Sequence, residues 1–186
     1  MTNDLQKRVI FGAIALAIFT PFLLAGGMAF EFFVGLLAMI ATAELIKMRR
    51  LAPNSIEGVL AMLASLVLTL PLQNYLTFLP TDGNYTAYAI VVFLLLGATV
   101  FNIGRYNYSD VVFPIASSFY VGIGFHSLVL ARMDGLNKVF FALCLVWATD
   151  IGAYMIGRQF GRRKLLPKVS PNKTVEGFVG GILSAV

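Results

Sequence analysis

Residues 28–46 read MAFEFFVGLLAMIATAELI, an apolar run broken by only two charges, Glu31 and Glu44. As an α-helix rising about 1.5 Å per residue, such a run is long enough to cross a hydrocarbon core of roughly 30 Å. No apolar/polar alternation runs through it, so a half-buried strand does not fit. Similar runs lie on either side, at residues 9–24, 56–75, 85–103, 111–131 and 139–156, and a seventh begins near Thr174. Breakers separate them: Gly26-Gly27, Pro53-Asn54, Pro80 through Gly83, Asn102 through Ser109, and Asp134-Gly135. The expected fold is all-α, a polytopic helical transmembrane protein with six full spans and the start of a seventh. Residues 1–186 form one transmembrane domain in this reading, with a basic cytoplasmic loop at 157–173.

Composition agrees with lipid as the solvent. Hydrophobic residues make up 59% of the chain and charged residues 12%, against about 25% charged in a soluble domain; mean hydropathy is +0.83. Cys144 is the single cysteine and His126 the single histidine, which excludes an internal disulfide and a Cys/His zinc cluster. His126 sits in an aromatic and glycine-rich span and reads as a packing residue. Lys7 and Arg8 precede an apolar stretch as in a signal peptide, but no A-x-A-like site closes it and further spans follow. Asn84-Tyr-Thr and Asn107-Tyr-Ser match glycosylation sequons, a short pattern of little weight.

Charge placement orients the chain. With the N-terminus inside, the inner segments hold Lys7, Arg8, Lys47, Arg49, Arg50, Arg105, Arg158, Arg162, Arg163, Lys164, Lys168 and Lys173, leaving only Arg132 and Lys138 of the 14 basic residues outside. The positive-inside rule therefore places the N-terminus and the basic loop in the cytoplasm. A bacterial cell membrane is the expected location.

Three acids interrupt the spans, and intramembrane carboxylates need a partner, a metal or a wet cavity. Glu31 lies near the outer end of the second span, and Glu44 near its inner end, three residues from Lys47. Asp150 is deeper, and Trp147, Asp150, Tyr154 and Gly157 share one helix face. Its functional reading competes with a buried ion pair to Arg158, two turns on. The segment that follows gathers six cations, Arg158 through Lys173. Within it, Ser170-Pro171 followed by Thr174 and Glu176 reads as a helix start, with Thr174 as the cap and free N–H groups toward the basic loop. Neither a Walker A loop nor a Rossmann fingerprint is present.

Asp150-x-x-Ala-Tyr154, Gly157-Arg158-x-x-Gly161, Lys164-Leu and Ser170-Pro-Asn-Lys173-Thr174-Val-Glu176-Gly177 resemble the phosphatidate cytidylyltransferase (CDP-diacylglycerol synthase) family. The match is dense from Trp147 to Gly181. The resemblance implies a nucleotidyltransferase of phospholipid synthesis that converts CTP and phosphatidate to CDP-diacylglycerol and pyrophosphate with Mg²⁺. It implies Asp150 and Lys173 as catalytic residues, Asp150 also as the metal position, and Arg158, Lys164, Ser170, Thr174 and Glu176 as substrate-binding residues. The partners implied are CTP, phosphatidate and the lipid bilayer, with no nucleic acid; self-association into a homo-oligomer stays open.

The family's later aspartate-containing metal motif is missing before Val186. A helix from Thr174 to Val186 would also span only about 20 Å. The chain is therefore expected to be an incomplete fragment, inactive as it stands. A rival reading is a cation- or proton-coupled transporter using Glu31, Glu44 and Asp150, although no internal repeat supports it. A third is a scaffold in which Gly177 and Gly181 form a G-x-x-x-G packing seam.

Overall fold

In a hydrocarbon core only the chain itself can satisfy a backbone N–H or C=O, so apolar runs of this length close into helices. The computed structural model describes residues 2–76, 83–101 and 108–186. It comprises two compact units, Met1–Asp134 and Gly135–Val186. The first contains α1 (Thr2–Ala25), α2 (Gly27–Met48), α3 (Ile56–Thr69), α4 (Gly83–Phe101) and α5 (Tyr108–Asp134). The second contains α6 (Leu136–Phe160), β1 (Lys164–Leu166), β2 (Ser170–Thr174) and α7 (Val175–Ala185). The breaks at 80–82 and 102–107, with Arg105 and the Asn107 sequon, lie outside the described residues.

Gly27–Met48, Asp110–Asp134 and Leu136–Phe160 are each long and apolar enough to cross a membrane. Ile10–Ala25, Ile56–Thr69, Gly83–Ala98 and Val175–Ala185 are shorter apolar helices. The chain is an integral membrane protein of helical type, with one short hairpin added to the all-α plan. Gly26 separates α1 from α2 at φ 66° and ψ −160°, a backbone state that side chains resist.

The third expected span, 56–75, is shorter than its apolar run. Ser55 starts α3 by accepting the Gly58 N–H at 3.1 Å, a regular N-cap. At the other end Pro71 pushes the preceding residue out of the helical region. Leu70 accordingly adopts φ −76° and ψ 140°, and the chain turns through a short 3₁₀ segment, Leu72–Asn74. Asn84 holds this corner. Its side chain is buried, accepts the Leu72 N–H at 3.1 Å and donates to the Leu70 carbonyl. The first sequon asparagine is thus a structural clamp.

At 14 residues, α3 spans about 21 Å, and it packs among α2, α4 and α5. Gly58, Ala61, Ala64, Ser65 and Leu68 form its buried face at helical spacing. Ala61 joins Ile46, Leu95 and Val111 in one apolar cluster, and Ala64 and Leu68 join Tyr88 in another. The Tyr88 hydroxyl donates to the Ile115 carbonyl at 3.0 Å. His126 Nδ1 lies 3.1 Å from the Thr69 carbonyl at the end of α3, in keeping with the packing role read from its neighbours.

Candidate active site on the α6–α7 unit

Every residue assigned to substrate or catalysis falls in the second unit, and the site is built on the α6–α7 contact. That contact is made through glycine. A methyl group on Gly177 would lie 2.8 Å from the Ala153 carbonyl oxygen and 3.0 Å from Gly157 Cα. One on Gly181 would lie 2.9 Å from the Thr149 carbonyl oxygen. Such approaches leave room for hydrogen alone, so the two backbones touch. The α6 residues that meet α7, Thr149, Gly152, Ala153, Ile156 and Gly157, recur at helical spacing. Asp150, Tyr154 and Arg158 are exposed on a neighbouring stripe of α6.

Between the helices the basic segment is not an open loop. α6 continues to Phe160, and the chain then forms the antiparallel pair β1–β2. Pro167 occupies the second position of the reversal, where its fixed φ suits a tight turn, and the Val169 N–H donates to the Leu166 carbonyl at 3.0 Å. The register is irregular between Lys164 and Leu166. Pro171 is tolerated in β2 because both strands of a two-stranded sheet are edges. Along β2, Ser170, Asn172 and Thr174 point to one side and Lys173 to the other; Lys173 is exposed and Thr174 buried.

Thr174 ends β2 and caps α7, its hydroxyl oxygen accepting the Gly177 N–H at 3.1 Å. The expected row of free N–H groups at this helix start is not found. The Val175 N–H donates to the Arg163 carbonyl at 2.9 Å, and Gly177 is taken by the cap. Any phosphate here must be held chiefly by side chains.

Glu176, a substrate-binding residue on the family resemblance, accepts with its carboxylate the backbone N–H of Arg162 at 3.0 Å and of Arg163 at 3.2 Å. The sequence offered one signal for this, an acid in the first turn of a helix, where the dipole favours negative charge. The backbone N–H groups of Glu176 itself, Arg162 and Arg163, with the nearby positive charge of Arg163 adding to them, hold the Glu176 carboxyl below the usual carboxylate range. Arg158, Arg162, Arg163, Lys164, Lys168 and Lys173 are all exposed, and among the described residues none forms an ion pair. The expected alternative of an Asp150–Arg158 pair is absent as well: Arg158 Nη1 donates to the Tyr154 hydroxyl at 3.3 Å. Asp150 is left exposed, with no hydrogen-bond or ion-pair partner among the described residues.

Among the described residues no three His, Cys, Asp or Glu side chains gather as a metal cage. The second unit holds two carboxylates, and Glu176 is committed to backbone. Asp150 remains, and one uncommitted carboxylate fits Mg²⁺, which commonly takes one or two carboxylates together with substrate phosphates.

The chain is similar to proteins of known name along nearly its whole length. The profile of the cytidylyltransferase family matches residues 6–186. The phosphatidate cytidylyltransferase of Staphylococcus saprophyticus is 41% identical over 182 residues, which is 98% of this chain and 69% of that protein. The protein of the same name from Staphylococcus epidermidis is 39% identical over 184 residues, again 98% and 69%, and that from Staphylococcus aureus is 35% identical over 182 residues with the same coverage. No solved structure matches. A family profile that runs from within α1 through the cationic hairpin and α7 leaves one assignment: the chain belongs to the cytidylyltransferase family.

Proposed function

We propose that this protein is a phosphatidate cytidylyltransferase, converting CTP and phosphatidate to CDP-diacylglycerol and pyrophosphate. Supporting this are the family membership and one observation above all, the exposed and unpaired cations of Arg158–Lys173 beside a free Asp150. In the reaction a phosphate oxygen of phosphatidate attacks the α-phosphorus of CTP. The new P–O bond forms as the bond to pyrophosphate breaks, and pyrophosphate departs with the electron pair. The nucleophile is already anionic near neutral pH, so no strong general base is needed, and the lack of a second histidine is no obstacle.

The main task is bringing two polyanions together, which is electrostatic and positional work. Lys173 and Ser170 on β2 contact phosphate oxygens, and Arg158 and Lys164 neutralise charge around the headgroup and triphosphate. Thr174 and Glu176 act less directly: the first joins β2 to α7, and the second fixes the backbone that carries Arg162 and Arg163. Asp150 would hold Mg²⁺, which when bound draws charge from the phosphates. Along α6, Asp150 and Arg158 are about 12 Å apart in axial rise, a span suited to a nucleotide triphosphate bridging them.

In the same reading the basic hairpin and the N-terminus face the cytoplasm, and the shorter apolar helices complete six spans with a seventh begun by α7. The test is formation of CDP-diacylglycerol from radiolabelled CTP and phosphatidate in mixed lipid–detergent micelles, with and without Mg²⁺, by protein of the full length of its relatives, of which this chain spans 69%. Lipid product that depends on CTP, phosphatidate and Mg²⁺ is the expected result. Absence of both product and Mg²⁺-dependent CTP binding in the folded native protein would overturn the proposal.

A further inference from the structure

A cavity of about 280 Å³ lies within the first unit, far along the chain from the cationic hairpin. Gly27, Phe30, Glu31, Val129, Arg132 and Met133 line it. Its walls are apolar apart from one carboxylate and one guanidinium. Glu31 is 6% exposed and accepts the Tyr75 hydroxyl proton. Arg132 donates from Nε to the Leu23 carbonyl at 2.7 Å and from Nη2 to the Leu24 carbonyl at 3.1 Å, satisfying carbonyls at the end of α1. It lies flat against Gly26, where a methyl group would come within 2.8 Å of Cζ.

These two groups of opposite charge face one cavity without closing on each other: among the described residues no ion pair joins them. Most of the guanidinium donors and most of the carboxylate lone pairs remain unspent. A buried carboxylate in a membrane protein calls for compensation, and Tyr75 supplies one neutral hydrogen bond. What completes the site is a molecule with an anionic oxygen for Arg132 and an N–H donor of positive charge for Glu31. Met133 of the lining is 49% exposed, and the sequence neighbours of Gly27 and Glu31, Met28 and Phe32, are 62% and 54% exposed. In a membrane protein such side chains meet acyl chains, so the molecule is amphiphilic.

We propose that this cavity binds the headgroup of an aminophospholipid, its phosphate at Arg132 and its primary ammonium at Glu31. The assignment is independent of the catalytic reading. Choline lipids share the phosphate but carry no N–H, and so satisfy only half of the site.

The experiment is native mass spectrometry of the delipidated, detergent-purified protein, offered phosphatidylethanolamine or phosphatidylcholine with the same acyl chains. Retention of the ethanolamine lipid is expected to exceed that of the choline lipid. Glu31→Gln, which keeps shape and removes charge, lowers that preference about tenfold, the effect of one charge-assisted hydrogen bond. Tyr75→Phe, which leaves the carboxylate in place, retains the preference, and circular dichroism checks that both variants keep native helicity. Equal retention of the two lipids, or an unchanged preference in folded Glu31→Gln, overturns the site. Free phosphoethanolamine competing as well as the intact lipid overturns its assignment to a lipid.

Discussion

Replacing Thr174 with valine isolates what holds the hairpin to its helix. The two side chains have nearly the same shape, so the contacts around Gly157 and Gly161 survive, but valine offers no acceptor to the Gly177 N–H. That donor is buried and has Thr174 Oγ1 at 3.1 Å as its partner. Loss of an N-cap costs about 0.5–2 kcal/mol, and an orphaned buried donor about 1–3 kcal/mol; these describe the same lost bond and are not summed. Thr174→Val should therefore destabilise the α6–α7 unit by about 1–2 kcal/mol. Thr174→Ser keeps the acceptor and should recover most of the loss. Because Thr174 is the last residue of β2, the same change loosens Lys173 and Ser170, and turnover should fall more than CTP binding does. The measurements are unfolding midpoints in one detergent and the radiolabelled CTP assay, on wild type and both variants. Wild-type stability and turnover in Thr174→Val would refute the coupling between cap and site.

In protein of the relatives' full length, Lys173→Ala should lower turnover by at least about tenfold, or about 1.4 kcal/mol of transition-state stabilisation, with helicity unchanged; full CTP-dependent activity would remove Lys173 from the site. Asp150→Asn should raise the Mg²⁺ concentration needed for half-maximal activity while leaving membrane insertion intact, and an unshifted Mg²⁺ titration would exclude Asp150 as the metal position. For topology, single cysteines in a Cys144-free background should label from the cytoplasm at Ala52 and Gln159 and from outside at Tyr85, which is 55% exposed beside the buried Asn84; the reverse pattern would invert the orientation.

Helices were legible wherever one physical cause dominated. Long apolar runs set α2, α5 and α6, and the Thr174 cap was visible because an N-cap is a local event between a side chain and the N–H three residues on. The end of α3 was missed because hydropathy continues through Leu70 and Leu72 while the backbone obeys Pro71. The hairpin was hidden by its brevity: β1 has three residues, too few to show alternation, and a run of cations reads equally well as solvated loop. Glu176 illustrates a deeper limit. Residue type shows that a carboxylate is present among arginines, but not whether it meets their guanidinium groups or their backbone. Here that choice decides whether the cations remain available. Glu31 is visible in the sequence as an intramembrane acid, yet its approach to Tyr75, and the cavity it shares with Arg132, join segments distant in sequence.

The glycine contact between α6 and α7 also bears on how this unit holds together where burial from water offers no gain between helices. Two faces in lipid are drawn together by packing and pay for it mainly in lost rotamer freedom. Gly152, Gly157, Gly177, Gly180 and Gly181 have no rotamers to lose. The partners they meet include backbone atoms of Ala153, Thr149 and Gly157, already fixed by helix formation. Association of these helices therefore freezes little beyond what each helix has frozen alone. The conformational freedom of the unit is concentrated in the long cationic side chains of the hairpin, the groups that must adapt to a nucleotide.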